Sequence, residues 1–282
     1  MAKIYKITIA FANKNPWSFG WGVVALLVVL GAIFAPLITP ADPYEIDFTR
    51  MSVPPDFTAI MGTDDIGRDM YTRIVYGARV SLFVSITSVV IGTFIGTVWG
   101  ISSGYIGGKT DLISQRFVEI MLALPGLIMA FMIVLILGAN VWSLIVSIGF
   151  TRIPLATRVI RAVAMTTKQN MYIEAAKSIG ASEARVMFRH IAPQTFAPLL
   201  VLSTIQLGAV IVIEASLSFL GLGVAPPTAS WGGMLGEASK LFSPWWWHVF
   251  FPGAMITLMV LAFNLLGDGL RDEFDPRLRG RT

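Results

Sequence analysis

Apolar positions along this chain are gathered into long blocks rather than alternating with polar ones. Trp17 to Ile38 is the first block, and Val80 to Ile106 the second, interrupted only by glycine, serine and threonine. Phe117 to Leu137 follows, then Val141 to Ile153 with an extension towards Val159, then Ala197 to Val224, then Val249 to Leu266. An α-helix needs about 20 apolar residues to cross the hydrocarbon core of a bilayer. The pattern therefore predicts an all-α membrane protein of six transmembrane helices with both ends on one face. The first block is too long for the apolar centre of a cleavable signal, which runs about 7–15 residues, and reads as an uncleaved span.

The longest polar interval, 152–196, keeps a helical period of its own. Ile173, Ala176 and Ile179 recur at three-residue spacing, followed by Val186 and Ile191. Helix formers from Tyr172 lead to Gly180, a residue that ends helices in the left-handed conformation. Ser182 is placed to cap a second helix, which Pro193 is expected to stop. The interval reads as two short helices around a glycine corner, a rigid knob.

Composition narrows the class. The 282 residues are 55% hydrophobic and 13% charged, with mean hydropathy +0.72. A soluble domain carries about 25% charged residues, so this chain lacks the charge to cover a water-facing surface. No cysteine is present, which excludes disulfides, thiolate metal sites and a cysteine nucleophile, and two histidines make a poly-histidine metal site untenable. Sixteen of the 21 lysines and arginines fall in segments on the side of the N-terminus, among them Lys3, Lys6, Lys14, Arg152, Arg158, Arg161, Arg277, Arg279 and Arg281. Positive charge marks the cytoplasmic side. The pI near 9.5 is thus a topology signal, with no nucleic-acid partner implied, and both termini are expected in the cytoplasm.

Candidate chemistry is sparse. Gly92, Gly96, Gly100 and Gly104 form a small-residue face on the second span, suited to close helix packing within the chain or across a subunit interface. Gly100 to Gly104 also fits the G-x-S-x-G pattern of serine hydrolases. The topology sets Ser102 and Ser103 a bilayer, about 30 Å, from His248, against the ~3 Å that a Ser–His pair requires. Glu214 lies within the fifth span, either as a pathway or buried-pair carboxylate or as an acid snorkelling at the outer interface. Ser218 and Asn264 join it as candidates for a translocation path, while Asn264 and Asp268 are also placed to cap the exit of the sixth span. No G-x-x-x-x-G-K-[ST] occurs, so ATP dependence must come from a partner, and no metal or cofactor is expected on this chain.

Several strings in order resemble a known family. Glu174-Ala175-Ala176, Gly180 and Pro193 resemble the E-A-A-x-x-x-G-x(9)-I-x-L-P signature of ABC importer permeases, with His190 and Ala192 departing from it. Gly62-Thr63-Asp64-Asp65-Ile66-Gly67-Arg68-Asp69, Ile120 to Pro125, Glu214 to Gly223, and Asn264 to Asp272 with Asp275-Pro276-Arg277 resemble the second, C-type permease of the dipeptide/oligopeptide/nickel importers. The resemblance implies a type I importer fold in the bacterial inner membrane. Its expected partners are a homologous second permease, two ATPase subunits that carry ATP and magnesium, and an extracytoplasmic solute-binding protein, with membrane lipid around it. It assigns ATPase coupling to Glu174, Ala175, Ala176, Gly180, Ala181, Arg185 and Pro193. The 62–69 string is expected either to meet the binding protein or shield the outer mouth, or to be a capped structural loop. Three segments follow: 1–79 with the first span and outer loop, a permease core over 80–270, and a cytoplasmic tail over 271–282. The rival classes are an ion-driven secondary transporter or channel, which predicts paired broken helices in matching halves, and a membrane enzyme, which predicts polar groups facing one another at one depth.

Overall fold

The computed structural model describes residues 11–240 and 244–274. The expectations on Lys3, Lys6, Asp275, Pro276, Arg277, Arg279 and Arg281 lie outside them.

Helix α1, Pro16–Ile33, opens the bundle with a proline in its first turn, where the missing N–H would have no intrahelical partner. Helix α2 runs Met70–Ile106, ten residues ahead of the apolar block. Its start is set by Asp69, whose carboxylate accepts from the Thr72 amide at 2.7 Å. The expected third span, Phe117 to Leu137, is broken. It is two helices, α3 Gly108–Ala123 and α4 Gly126–Leu137, meeting at 87°. Pro125 causes the break, because a proline disfavours helical backbone in the residue before it, and Leu124 is extended (φ −99°, ψ 139°).

Helix α5, Val141–Lys168, is longer than its apolar block, so Arg152 lies inside a span rather than in a polar loop. Helix α6, Met171–Ser178, and the single turn α7, Glu183–Val186, form the knob. A π-turn over Met187–Ile191 then runs directly into α8, Ala192–Leu217. Pro193 is therefore not a stop. It sits in the first turn of α8, and the second knob helix continues into the fifth span. A short helix the hydropathy does not show, α9 Trp231–Lys240, precedes α10, Trp246–Phe274. Asn264 is correspondingly ten residues short of the end of α10, not a cap at its exit.

Lys14 meets Glu273 at 2.9 Å, so α1 begins and α10 ends on one face, here the terminal face. The Arg79 guanidinium donates to the Ile33 carbonyl at 3.2 Å, which levels the end of α1 with the start of α2 on the far face. The rings of Phe83 and Trp142 lie 6.5 Å apart, so α5 also starts on the far face. The bent α3–α4 pair must then cross the membrane, giving six crossings with the third broken.

The strongest seam joins α2 to α5. A methyl group on Gly96 would stand 2.6 Å from both Ala156 Cβ and the Ile153 carbonyl oxygen. One on Gly100 would stand 2.7 Å from the Thr157 carbonyl, and one on Gly104 2.7 Å from that of Arg161. Gly92 meets the Gly149 carbonyl still more closely. All four glycines thus face α5 of the same chain, letting two backbones touch where lipid supplies no hydrophobic drive between helices.

Candidate functional site

The knob stands on the terminal face. Its corner is a Schellman turn: Gly180 adopts φ +83°, its amide donates to the Lys177 carbonyl at 2.9 Å, and the Ala181 amide donates to that of Ala176 at 3.0 Å. Ser182 caps the next turn, accepting from the Arg185 amide at 3.4 Å. One side of each helix is anchored. Ile173, Val186 and Ile191 are buried with Ile101 and Tyr105 of α2 and Ile160 and Ala164 of α5. Lys177 Nζ lies 4.8 Å from the Tyr105 ring centroid, a cation over an aromatic face. Behind the anchor, Arg161 grips Asp111 through two hydrogen bonds, and Ser103 Oγ donates to the same carboxylate at 2.6 Å.

The other side of the knob is open. Glu174, Ala175, Gly180, Arg185 and Pro193 are exposed, while Ala181 is half-buried. Ala176 is buried, so the alanine pair is split, Ala175 facing outward and Ala176 facing the core. Ile179 is 87% exposed, Met171 86% and Phe188 67%. Sequence reasoning missed Met171 and Phe188, and the spacing that grouped Ile179 with Ile173 and Ala176 is corrected, since those two are buried and Ile179 is turned outward. Ile179 carries a readable signal, since it stands one residue before the glycine that turns the chain outward.

The 62–69 string on the far face is built the opposite way. Thr63, Asp64 and Arg68 are buried. Asp64 accepts from the Arg68 amide at 2.9 Å and pairs with the Arg68 guanidinium at 2.6 Å and with Arg73 Nε at 3.5 Å. Both arginines also reach Glu237 of α9, at 3.1 and 3.0 Å. The Thr63 carbonyl accepts from Trp247 Nε1 at 3.1 Å and lies 2.8 Å from His248 Nε2. Gly67 takes φ +84° with the Asp47 backbone against it, and Gly62 takes φ +75°. Asp65 is half-buried, and Asp69 is held as the cap of α2. The string has the geometry of a capped buckle, with Asp64 and Arg68 turned inward. Arg73 and Glu237 were missed. The spacing of Gly232 and Gly236 could have exposed α9, since each lies against backbone of the fifth span, Ala215 and Phe219.

A family model described as binding-protein-dependent transport system inner membrane component matches residues 96–280, which takes in the knob, its anchor and four of the six crossings. The chain belongs to that family. It is thus a multi-pass permease of the bacterial inner membrane, a component of a binding-protein-dependent transport system. It is 39% identical to the di/tripeptide transport system permease protein DppC of Pseudomonas aeruginosa, over 96% of this chain and 91% of that protein. It is 38% identical to the glutathione transport system permease protein GsiD of Pectobacterium atrosepticum, over 94% and 93% of the two. It is 36% identical to the oligopeptide transport system permease protein OppC of Bacillus subtilis, over 91% and 84%.

The remaining candidates of the permease lie inside its packing. Glu214 is fully buried, which overturns the snorkelling alternative. Ser218 Oγ donates to one of its carboxylate oxygens at 2.8 Å, and Ser218 is itself buried. Asn264 of α10 packs on Gly208 of α8, where an added methyl would stand 2.7 Å from its Oδ1. Ser103 and His248 bind at opposite ends, to Asp111 and to Thr63, so no Ser–His pair forms. The α3–α4 pair is the one broken crossing among the described residues, without a matching second in another half.

Proposed function

We propose that this permease is half of the translocation pathway of an ATP-driven peptide importer. A homologous second permease supplies the other half, two ATPase subunits receive the terminal-face knobs, and an extracytoplasmic binding protein delivers di- or oligopeptide at the far face. Lysine and arginine bias supports a cytoplasmic terminal face. The chain itself carries out no catalysis and holds no nucleotide or metal, since ATP and magnesium belong to the ATPases.

One observation carries the coupling role: a helix corner rigidly anchored on α2 and α5 holds Ile179, Met171 and Phe188 out in water. Exposed large apolar side chains on a braced element are what a partner groove buries. Glu174 and Arg185 supply polar contacts at the rim, and Ala175 keeps the outward face low enough to seat. Because the π-turn joins the knob to α8 without a break, a push on the corner is delivered along the fifth span, a rigid-body switch of access. Relatives named for di/tripeptide, oligopeptide and glutathione transport support peptides as the cargo class.

Substituting Glu174→Lys or Gly180→Asp should abolish ATP-driven peptide uptake while the protein remains in the membrane at normal level. Normal uptake by either well-inserted variant would remove the knob from the coupling path.

A further inference from the structure

Arg152 lies eleven residues into α5, about 16 Å from its far-face end at ~1.5 Å per residue, hence near the middle of a hydrocarbon core about 30 Å thick. Its neighbour on α2 is Gly92, near the centre of that helix's apolar block. The guanidinium is partly buried, and its one hydrogen bond among the described residues runs from Nε to Thr151 Oγ1 at 2.9 Å. No carboxylate pairs with it among the described residues, whereas Arg161, Arg68 and Arg73 of the same chain all have acids. An uncompensated cation at this depth is costly and faces protein or a water-filled path rather than lipid.

An added methyl on Gly126 would stand 3.0 Å from Arg152 Nη2, so the guanidinium reaches the 87° break between α3 and α4. Non-helical backbone at membrane depth is tolerated where it is buried in protein or lines an aqueous cavity. Leu124, before the break, is 47% exposed, and Leu127, after it, 39%, so the break is not buried within this chain. Gly126 opens α4 without a side-chain cap, so unpaired amides and the positive end of a twelve-residue helix lie beside the guanidinium. Both features favour an anion that arrives and leaves. A fixed acid would neutralise the site permanently.

We infer that Arg152 is a carboxylate-binding residue of the translocation path, holding the C-terminal carboxylate of a peptide at mid-membrane as it passes. The inference rests on the peptide-importer reading above: a free C-terminal carboxylate is the anionic group that unmodified peptides of any sequence share. Guanidinium and carboxylate match as a two-bond fork, which is stronger than a neutral hydrogen bond and strongest where water is scarce.

The test uses the whole transporter in proteoliposomes, with radiolabelled dialanine on its binding protein. Arg152→Gln should lower uptake by about tenfold or more, the scale of one charge-assisted hydrogen bond. The complex should assemble at normal yield, and loaded binding protein should still stimulate ATP hydrolysis. Arg152→Lys, which keeps the charge, should restore much of the uptake. Three results would overturn the inference: uptake by Arg152→Gln within twofold of wild type, failure of Arg152→Gln to assemble, which assigns the arginine to an acid of a partner subunit, or Arg152→Lys no better than Arg152→Gln. Absence of dialanine uptake by the wild-type complex is a different failure, and it removes the peptide reading together with the inference built on it.

Discussion

The two ends of this permease handle charge and apolar surface in opposite ways. On the far face, Asp64, Arg68, Arg73 and Glu237 turn towards one another and tie α2, the 44–69 loop and α9 into one unit. On the terminal face, Glu174 and Arg185 point out, and so do Ile179 and Met171. The far-face string turns its paired charges into the protein, and the terminal-face string leaves its charges and apolar tips exposed. Two equally recognisable motifs thus differ in burial, and the proposed coupling role rests on that difference.

The comparison predicts unequal costs for single substitutions. Arg73→Met should be the most damaging. Arg73 is 1% exposed and serves both Asp64 and Glu237, so its loss leaves two carboxylates to share Arg68 and one negative charge uncompensated. Removing one partner of a buried ion pair costs about 3–5 kcal/mol. Thermal unfolding of the detergent-purified protein should show the drop directly. A melting temperature unchanged from wild type would mean that the buckle is not what holds the far face.

Next in size is the seam between the two ends. Gly96→Leu would place side-chain atoms where Ala156 and the Ile153 backbone already stand. Overpacking of this kind costs about 1–3 kcal/mol, with α2 and α5 forced apart. Gly20→Leu makes the control, because nothing lies within 4 Å of that position. Equal melting temperatures for the two variants would show that the seam yields and cannot carry force between the faces.

Most of this architecture was legible in the residues, and the exceptions have causes. The six apolar blocks became six crossings because a bilayer demands length and apolarity and little else. The knob's corner was legible because Gly180 and Ser182 act locally, within a turn. The break at Pro125 was available in the sequence and passed over, since hydropathy does not register a proline between apolar neighbours. The buckle was not legible as such: Glu237 is 164 residues from Arg73, and which charges meet is a matter of tertiary packing. Arg152 was misplaced for a related reason. A positive residue at the end of a short apolar block reads as a loop boundary until the helix is seen to run on to Lys168.

The smallest stability effect isolates the comparison most cleanly. Ile179→Asp alters a side chain that is 87% exposed, touches no buried charge and leaves the Gly180 corner intact. Surface substitutions away from such features change stability by about 0.5 kcal/mol or less. The permease should therefore melt as wild type does and insert normally. Yet an aspartate at the apolar tip would have to be desolvated without a designed partner when a groove closes over it, which disfavours docking. Stimulation of ATP hydrolysis by loaded binding protein should accordingly be lost in the reconstituted complex. The outcome separates the two ends by kind rather than by size: Arg73→Met fails as a protein, whereas Ile179→Asp folds and fails as a coupling element. If stimulation survives Ile179→Asp, the exposed tip is not the surface that the ATPase grips, and Glu174 with Arg185 must carry the contact instead.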